Sequence, residues 1–189
     1  VEEAIASLPD EWQAIDTLIN NAGLAVGLEP LHEGDPDDWE RMIDTNIKSL
    51  LYVTRAVTPG MVARRAGHIV NLGSIAGREV YPGGAVYCAT KHAVRALSQG
   101  MRQDLLPYGI RVSLICPGAV ETEFSLVRFK GDNQRAAGVY DGYTPLTADD
   151  IARTIRFALA APVHVDLQDI LVMPTAQADA RTIHRTPKG

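Results

Sequence analysis

Four short apolar runs, separated by longer segments with helical periodicity, constrain the fold of this 189-residue chain most strongly. Taken together, the runs lack the steady alternation of apolar and polar residues that strands with one face in water would show. Strands that are buried on both faces and joined by helices form parallel sheets with helices on each side. The pattern therefore predicts one doubly wound α/β domain with three layers, α/β/α. The runs occupy residues 15–19, 68–72, 110–115 and 170–173.

The longest helical segment follows the first apolar run. Asp35 is a candidate N-cap with Pro36 in the first helical position, and apolar residues at helical spacing continue to residue 58. We expect Pro59 to kink this helix, which leaves residues 61–65 as a final turn.

The other helices have equally clear signals. A helix rich in small residues is predicted over residues 85–106, and another begins at Thr147, where Asp150 completes a variant of the capping box. Between residues 119 and 146 the periodicity is weak and glycines are frequent, as in a flexible lid over a binding site.

The composition excludes several classes of function. The net charge is −5, and the cationic segments at 64–65 and 128–130 are too short to follow a phosphate backbone, which argues against a nucleic-acid partner. No apolar run approaches the length of a membrane span. Cys88 and Cys116 lie within apolar patterns, which favours reduced core thiols over a disulfide or a metal site. We therefore expect a cytoplasmic protein with a small-molecule ligand and no metal.

A candidate active site lies between residues 71 and 91. Tyr87 and Lys91 stand four apart at the start of a helical pattern, so they share one face of the helix. Ser74 follows a buried strand, where open α/β sheets bind their ligands. A phenol, an ammonium and a hydroxyl that converge can donate a proton. The alternatives are a surface Tyr–Lys pair and a serine that only satisfies the backbone.

These residues belong to a series of motifs found in the same order in short-chain dehydrogenases/reductases, and the chain resembles that family. One motif alone is weak evidence, but five in order span most of the chain. Within the family, the chain is similar to bacterial and fungal NADP-dependent 3-hydroxy acid dehydrogenases, which implies a Rossmann-type sheet. The motifs are NNAG at 20–23, Asn46 in DTNIKS, Ser74 in LGSIAG, YCATK at 87–91, and PG at 117–118 followed by Val120, Thr122 and Glu123.

The resemblance implies four catalytic residues. Tyr87 would protonate a carbonyl oxygen as hydride arrives, or act as the base in the reverse direction. Because a free phenol titrates near pH ~10, Lys91 and the cationic nicotinamide are expected to favour the phenolate. Ser74 would hold the substrate oxygen, and Asn46 would hold a water near the lysine.

The resemblance also implies the cofactor, NADP with NAD as a possibility, and the residues that bind it. Lys91 and Tyr87 would contact the nicotinamide half, and Lys91 would hydrogen-bond its ribose. The strand end at residues 20–23 would lie along the adenosine ribose, and the loop from residue 117 would cover the nicotinamide. The further contacts expected are Asn21, Ala22, Gly23, Pro117, Gly118, Val120 and Thr122.

The expected substrates are small 3-hydroxy acids such as serine, allo-threonine and 3-hydroxypropionate, or the corresponding malonic semialdehyde type of oxo acid. Ser74 and Tyr87 would contact the reacting oxygen. Arg128 and Lys130 fall in the predicted lid and could pair with the substrate carboxylate; a solvated basic turn is the alternative. Other hypotheses are a reductase for a different carbonyl, such as a 3-oxoacyl thioester, and a non-catalytic cofactor-sensing protein.

Two further expectations concern size and assembly. The glycine-rich phosphate turn of the family is absent, and two βαβ units of about 30 residues each would supply it. We therefore expect the chain to be part of a protein of about 250 residues, with its first strands and the residues that choose NAD or NADP upstream. The helices over 36–58 and 85–106 have surplus apolar residues, including Leu51, Tyr52 and Val53, which favours a homotetramer.

Overall fold

The computed structural model describes residues 1–186, which include a four-stranded parallel sheet with the strands in sequential order. The strands are β1 Thr17–Asn20, β2 Gly67–Leu72, β3 Ile110–Pro117 and β4 Asp169–Val172. All three pairings are parallel, so every connection crosses over the sheet. The predicted α/β class and parallel sheet are confirmed, with each strand end within two residues of its predicted position.

Helices cover both faces of the sheet, and the alternation of side chains along the strands assigns each core residue to a face. Their bounds are α1 Glu2–Ala6, α2 Pro36–Ile43, α3 Ser49–Arg64, α4 Ala85–Leu105, α5 Phe124–Arg128, α6 Asn133–Gly138 and α7 Ala148–Leu159. On one face, Ile69 and Val112 pack with α3 and α4 residues. On the other, Val70 and Ile115 pack with Ile151 of α7.

The first long helix agrees with its prediction at both ends and differs in its middle. Asp35 does cap it, since its carboxylate accepts a 3.0 Å hydrogen bond from the backbone N–H of Asp37. The helix continues through Pro59 and ends at Arg64, within one residue of the predicted final turn, and the kink at Pro59 stays a prediction. A π-helical turn over Asp44–Lys48, which was not predicted, separates α2 from α3. Apolar spacing did not reveal this turn.

The edge strand β1 is less covered than its neighbour β2. Ile19 is 43% exposed, whereas Val70, its partner on β2, is fully buried. Val53 of α3 packs against the core beside β1, so it does not belong to the exposed apolar surface predicted for that helix. Leu51 and Tyr52 are exposed as predicted.

The segment from 119 to 146 contains the two short helices α5 and α6. Its role as a flexible lid stays a prediction. The capping box that opens α7 is present, with reciprocal contacts between Thr147 and Asp150. Cys88 and Cys116 are buried free thiols. Among residues 1–186, no helix is long and apolar enough to cross a membrane.

Candidate active site

The carboxyl ends of β1, β2 and β3 open into a cleft of about 740 Å³. Parallel strands bring the residues that follow them to one edge of the sheet, and this edge is the usual ligand site of open α/β sheets. The cleft brings together most of the predicted site residues. Those lining it are Asn21, Gly23, Ser74, Tyr87, Lys91, Pro117, Gly118, Val120 and Thr122.

Tyr87 and Lys91 lie on the face of α4 that turns toward the sheet. Tyr87 is 8% exposed and Lys91 is 6% exposed, so the alternative of a surface pair is wrong. The Lys91 ammonium donates a 2.9 Å hydrogen bond to the carbonyl of Leu72, the last residue of β2. This contact joins the helix to the strand end that precedes Ser74.

Burial controls the protonation of both groups. Desolvation lowers the pKa of Lys91 to about 8, while the nearby Cys116 acts in the opposite direction. Burial also raises the pKa of Tyr87 above that of a free phenol, and Tyr81 adds to this rise; the Ser74 hydrogen bond and Arg128 oppose it. The expectation of a phenolate favoured by Lys91 is therefore not met by the protein groups alone, because desolvation outweighs the favourable charges.

Ser74 is positioned by a tight turn. Its hydroxyl accepts a 3.1 Å hydrogen bond from the backbone N–H of Ala76, which caps the 3₁₀ turn Ile75–Gly77. The serine thus satisfies a backbone group and also contacts Tyr87, so the two readings of this residue are compatible. Gly77 allows the 3₁₀ turn to pack closely against α4, since a Cβ at this position would lie 2.7 Å from the carbonyl oxygen of Lys91.

Asn46, in the π-helical turn, uses its amide to connect three elements. Its oxygen accepts from the backbone N–H of Leu24, and its nitrogen donates to the Leu24 carbonyl, both at 2.8 Å. The nitrogen also donates to Thr90 Oγ1 at 2.9 Å, and Thr90 in turn donates to the Tyr87 carbonyl at 2.7 Å. Asn46 therefore fixes the loop after β1 against α4. Sequence reasoning missed Thr90, although it lies inside the YCATK motif.

The two asparagines after β1 have different environments. Asn20 donates to Thr54 Oγ1 at 3.0 Å and to Asn71 Oδ1 at 2.8 Å, so its amide holds α3 and β2 together. Asn21 lines the cleft, as does Gly23, whereas Ala22 is not among the lining residues. The predicted cofactor contact of Ala22 therefore has less support than those of its neighbours.

The loop after β3 forms the opposite wall of the cleft. Gly118 allows Gln177 to approach, since a Cβ at Gly118 would lie 2.5 Å from Gln177 Oε1. The same Gln177 oxygen accepts a 2.8 Å hydrogen bond from the backbone N–H of Ala119. Gln177 is buried and was not predicted, because nothing in its local sequence indicates a contact 58 residues away.

The two predicted basic anchors separate in the structure. Lys130 forms an ion pair with Asp38, with its Nζ 2.7 Å from Asp38 Oδ2. Arg128 instead turns toward the catalytic helix: its guanidinium carbon lies 5.7 Å from the centroid of the Tyr87 ring. Arg128 also donates to Tyr81 Oη at 3.0 Å. Arg128 is not one of the residues that line the cleft, but it contacts Tyr87, which is.

Comparison with known proteins agrees with this geometry. The model of the short chain dehydrogenase family matches residues 1–132. The NADP-dependent 3-hydroxy acid dehydrogenase YdfG of Salmonella typhi is 50% identical over 188 residues, which cover 98% of this chain and 76% of that protein. An NADP-dependent 3-hydroxy acid dehydrogenase of Schizosaccharomyces pombe is 46% identical over 181 residues, which cover 96% of this chain and 70% of the relative.

Solved structures give the same result. The closed form of a serine dehydrogenase complexed with NADP⁺ superposes with a TM-score of 0.93 at 50% identity, over 98% of this chain and 75% of that one. The ElxO protein with NADP bound has a TM-score of 0.79 at 25% identity, over 91% of this chain and 71% of its own.

Proposed function

The chain belongs to the short-chain dehydrogenase family, and from this premise we propose that it transfers hydride between NADP(H) and the 3-hydroxyl or 3-oxo group of a small hydroxy acid. It is an NAD(P)-dependent oxidoreductase by its family. The observation that supports the proposal most is the convergence of Ser74, Tyr87 and Lys91 on one cleft at the ends of parallel strands.

Tyr87 is the proposed acid and base. Burial keeps its phenol protonated, so Tyr87 carries the proton that a carbonyl oxygen must receive in the reductive direction. Ser74 is proposed to hydrogen-bond the same oxygen and hold it beside the phenol. Asn46 fixes the helix that carries Tyr87, through Thr90 and Leu24. A water near Lys91 remains part of the proposal for Asn46.

The cleft also fits the nicotinamide half of the cofactor. Gly23 leaves room beside Lys91 Nζ, since a Cβ at Gly23 would lie 3.2 Å from that nitrogen. This space supports the proposal that Lys91 hydrogen-bonds a ribose hydroxyl, and Thr122 offers a hydroxyl on the opposite wall. We propose these contacts together with Asn21, Ala22, Pro117, Gly118 and Val120. When bound there, NADP⁺ supplies the hydride acceptor for oxidation.

The proposed substrates are serine, allo-threonine and 3-hydroxypropionate, in keeping with the names of relatives that are 3-hydroxy acid and serine dehydrogenases. Arg128 is proposed to bind the carboxylate. Within residues 1–186 its buried Nε–H has no hydrogen-bond acceptor, so the protein does not satisfy the whole guanidinium. Lys130 is not part of this proposal, because Asp38 already pairs with it.

A spectrophotometric screen at 340 nm tests the proposal. The protein is assayed with NADP⁺ or NAD⁺ and each hydroxy acid, and in the reverse direction with a 3-oxoacyl thioester. Turnover of hydroxy acids with NADP⁺ that falls by about 10²–10⁴-fold in Tyr87→Phe is the expected result. Turnover of the thioester alone would favour the other reductase hypothesis, and cofactor binding without any turnover would favour a cofactor sensor. Tyr108→Phe is the matched control, since that tyrosine does not line the cleft and its ring faces Arg65 and the core beside Met61.

A further inference from the structure

A cation from the predicted lid lies against the catalytic tyrosine. Arg128 is at the end of α5, and its guanidinium carbon lies 5.3 Å from the Tyr81 ring centroid and 5.7 Å from that of Tyr87. Phe124, one turn earlier on α5, has its ring centroid 5.6 Å from that of Tyr87. Two side chains of α5, Phe124 and Arg128, therefore contact the ring of Tyr87.

Tyr81 fixes the position of this guanidinium. Its hydroxyl accepts the 3.0 Å hydrogen bond from Arg128 Nη2. The Tyr81 ring in turn lies directly on the backbone at Gly84, where a Cβ would be 2.1 Å from Tyr81 Cε2. The backbone N–H of Gly27 also donates to the carbonyl of Arg128 at 3.0 Å, which holds the end of α5. Tyr81 thus holds the side chain of Arg128, and Gly27 holds its backbone.

The partners of Arg128 leave its charge uncompensated. Within residues 1–186 the structure surrounds the guanidinium with aromatic groups, while Lys130 two residues later pairs with the carboxylate of Asp38. Burial raises the pKa of Tyr81, so its hydroxyl stays neutral and does not cancel the charge. A cation near a phenol stabilises the phenolate form.

From this arrangement we propose that Arg128, held by Tyr81, is a positioning residue for proton transfer that acts on Tyr87 through the face of its ring, independently of any substrate carboxylate. The inference rests on the proposed function, since it requires Tyr87 as the acid and base. It extends the role of Arg128 beyond substrate binding: removing its charge disfavours the ionised phenol for every substrate. The placement of α5 thereby becomes part of the activation of Tyr87.

The other groups that face Tyr87 do not supply this effect alone. The Ser74 hydroxyl, in the turn after β2, lowers the pKa of Tyr87, as Arg128 does. Tyr81 and Cys88 act in the opposite direction. Lys91, one turn further along α4, directs its hydrogen bond to the Leu72 carbonyl. Arg128 therefore places a full positive charge over the ring of Tyr87.

The test is the pH dependence of kcat and kcat/KM for oxidation, with 3-hydroxypropionate and with its uncharged amide. In Arg128→Met the acidic limb of the profile is expected to move up by about one pH unit for both substrates. Tyr81→Phe, which keeps the ring but loses the hydroxyl, is expected to produce a smaller shift in the same direction. Arg128→Lys retains a charge and should restore most of the wild-type profile.

Lys130→Met is the matched control, because it removes a cation of the same segment that pairs with Asp38 rather than contacting Tyr87. Its profile should match that of the wild type. Superimposed profiles for wild type and Arg128→Met, or an equal shift in Lys130→Met, would overturn the inference. If Arg128→Met changed only the KM for 3-hydroxypropionate, the inference would also be overturned. Arg128 would then serve only to contact the substrate carboxylate. Full activity of Tyr87→Phe would instead refute the proposed function.

Discussion

The ammonium of Lys91 donates a hydrogen bond of 2.9 Å to the carbonyl oxygen of Leu72, inside a site where the lysine is almost fully buried. The bond holds the first turns of α4 against the end of β2. Ser74, two residues after Leu72, and Tyr87, one turn before Lys91, are brought together by this contact. The charge that orders the site is also costly, because burial lowers the pKa of Lys91 to about 8.

The cost of burying Lys91 gives a prediction about stability and pH. Below pH 8 the lysine is protonated in both the folded and the unfolded state, so the folded protein carries the full free-energy cost of burying the ammonium. Between about pH 8 and the ordinary lysine pKa of 10.5 the unfolded state binds more protons, so wild-type stability rises with pH. Relative to Lys91→Met, the wild-type free energy of unfolding should rise by roughly 3 kcal/mol across this window.

Urea unfolding of both proteins at pH 7, 8, 9 and 10 measures this difference, and taking the difference cancels the other groups that titrate. A difference that does not change with pH would mean that Lys91 has an ordinary pKa in the folded protein.

The sequence predicted the fold and the cleft well because their signals are local. The apolar runs of β2 and β3 and the four-residue spacing of Tyr87 and Lys91 can each be read within one element. The π-helical turn at Asp44–Lys48 was missed because one extra residue in a turn hardly changes the apolar spacing of the helix. The final turn after Pro59 could be predicted locally, and α3 does end at Arg64.

The contacts between distant segments could not be predicted in the same way. Arg128 lies 47 residues from Tyr81, and no local pattern distinguishes it from Lys130, yet one meets the catalytic ring and the other an aspartate. The same holds for the amide of Asn46, whose partners Leu24 and Thr90 are 22 and 44 residues away. These choices are made by the packing of the whole domain.

The bond between Asn46 and Thr90 leads to a second prediction. Thr90→Val keeps the shape of the buried side chain but removes the oxygen that accepts from Asn46 and donates to the Tyr87 carbonyl. We expect a loss of about 1–3 kcal/mol in unfolding free energy, because a buried amide N–H loses a partner. The value of kcat should fall as well, since the helix that carries Tyr87 loses its link to the loop after β1. Thr90→Ser retains the hydroxyl and should behave like the wild type in chemical unfolding and turnover; an equal loss in both variants would contradict this reading.

Assembly gives a third prediction. Leu51 and Tyr52 on α3 are 39% and 60% exposed, and Ile43 at the end of α2 is 37% exposed, so these helices present an apolar surface. We propose that it forms part of the contact in a homotetramer. Light scattering after size-exclusion chromatography should give four times the chain mass for the wild type and a smaller species for Tyr52→Glu. Trp12→Glu replaces an aromatic residue of similar exposure, 67%, outside these helices and should leave the mass unchanged. A monomeric wild type would refute the proposal.

The last prediction compares two glycines that contact α4 or belong to it. A Cβ at Gly77 would lie 2.7 Å from the carbonyl oxygen of Lys91, and backbone cannot give way there as a side-chain end can. Gly77→Ala should therefore cost about 1–3 kcal/mol of stability and lower kcat, because the turn that carries Ser74 is pushed away from Tyr87.

At Gly100, within α4, a Cβ meets no atom of the described residues within 4 Å. Gly100→Ala should stabilise the protein by about 0.5–1 kcal/mol and leave kcat unchanged. Thermal unfolding and turnover of the two variants measure this contrast, and a harmless Gly77→Ala would show that the approach of the Ser74 turn to α4 is looser than the structure indicates.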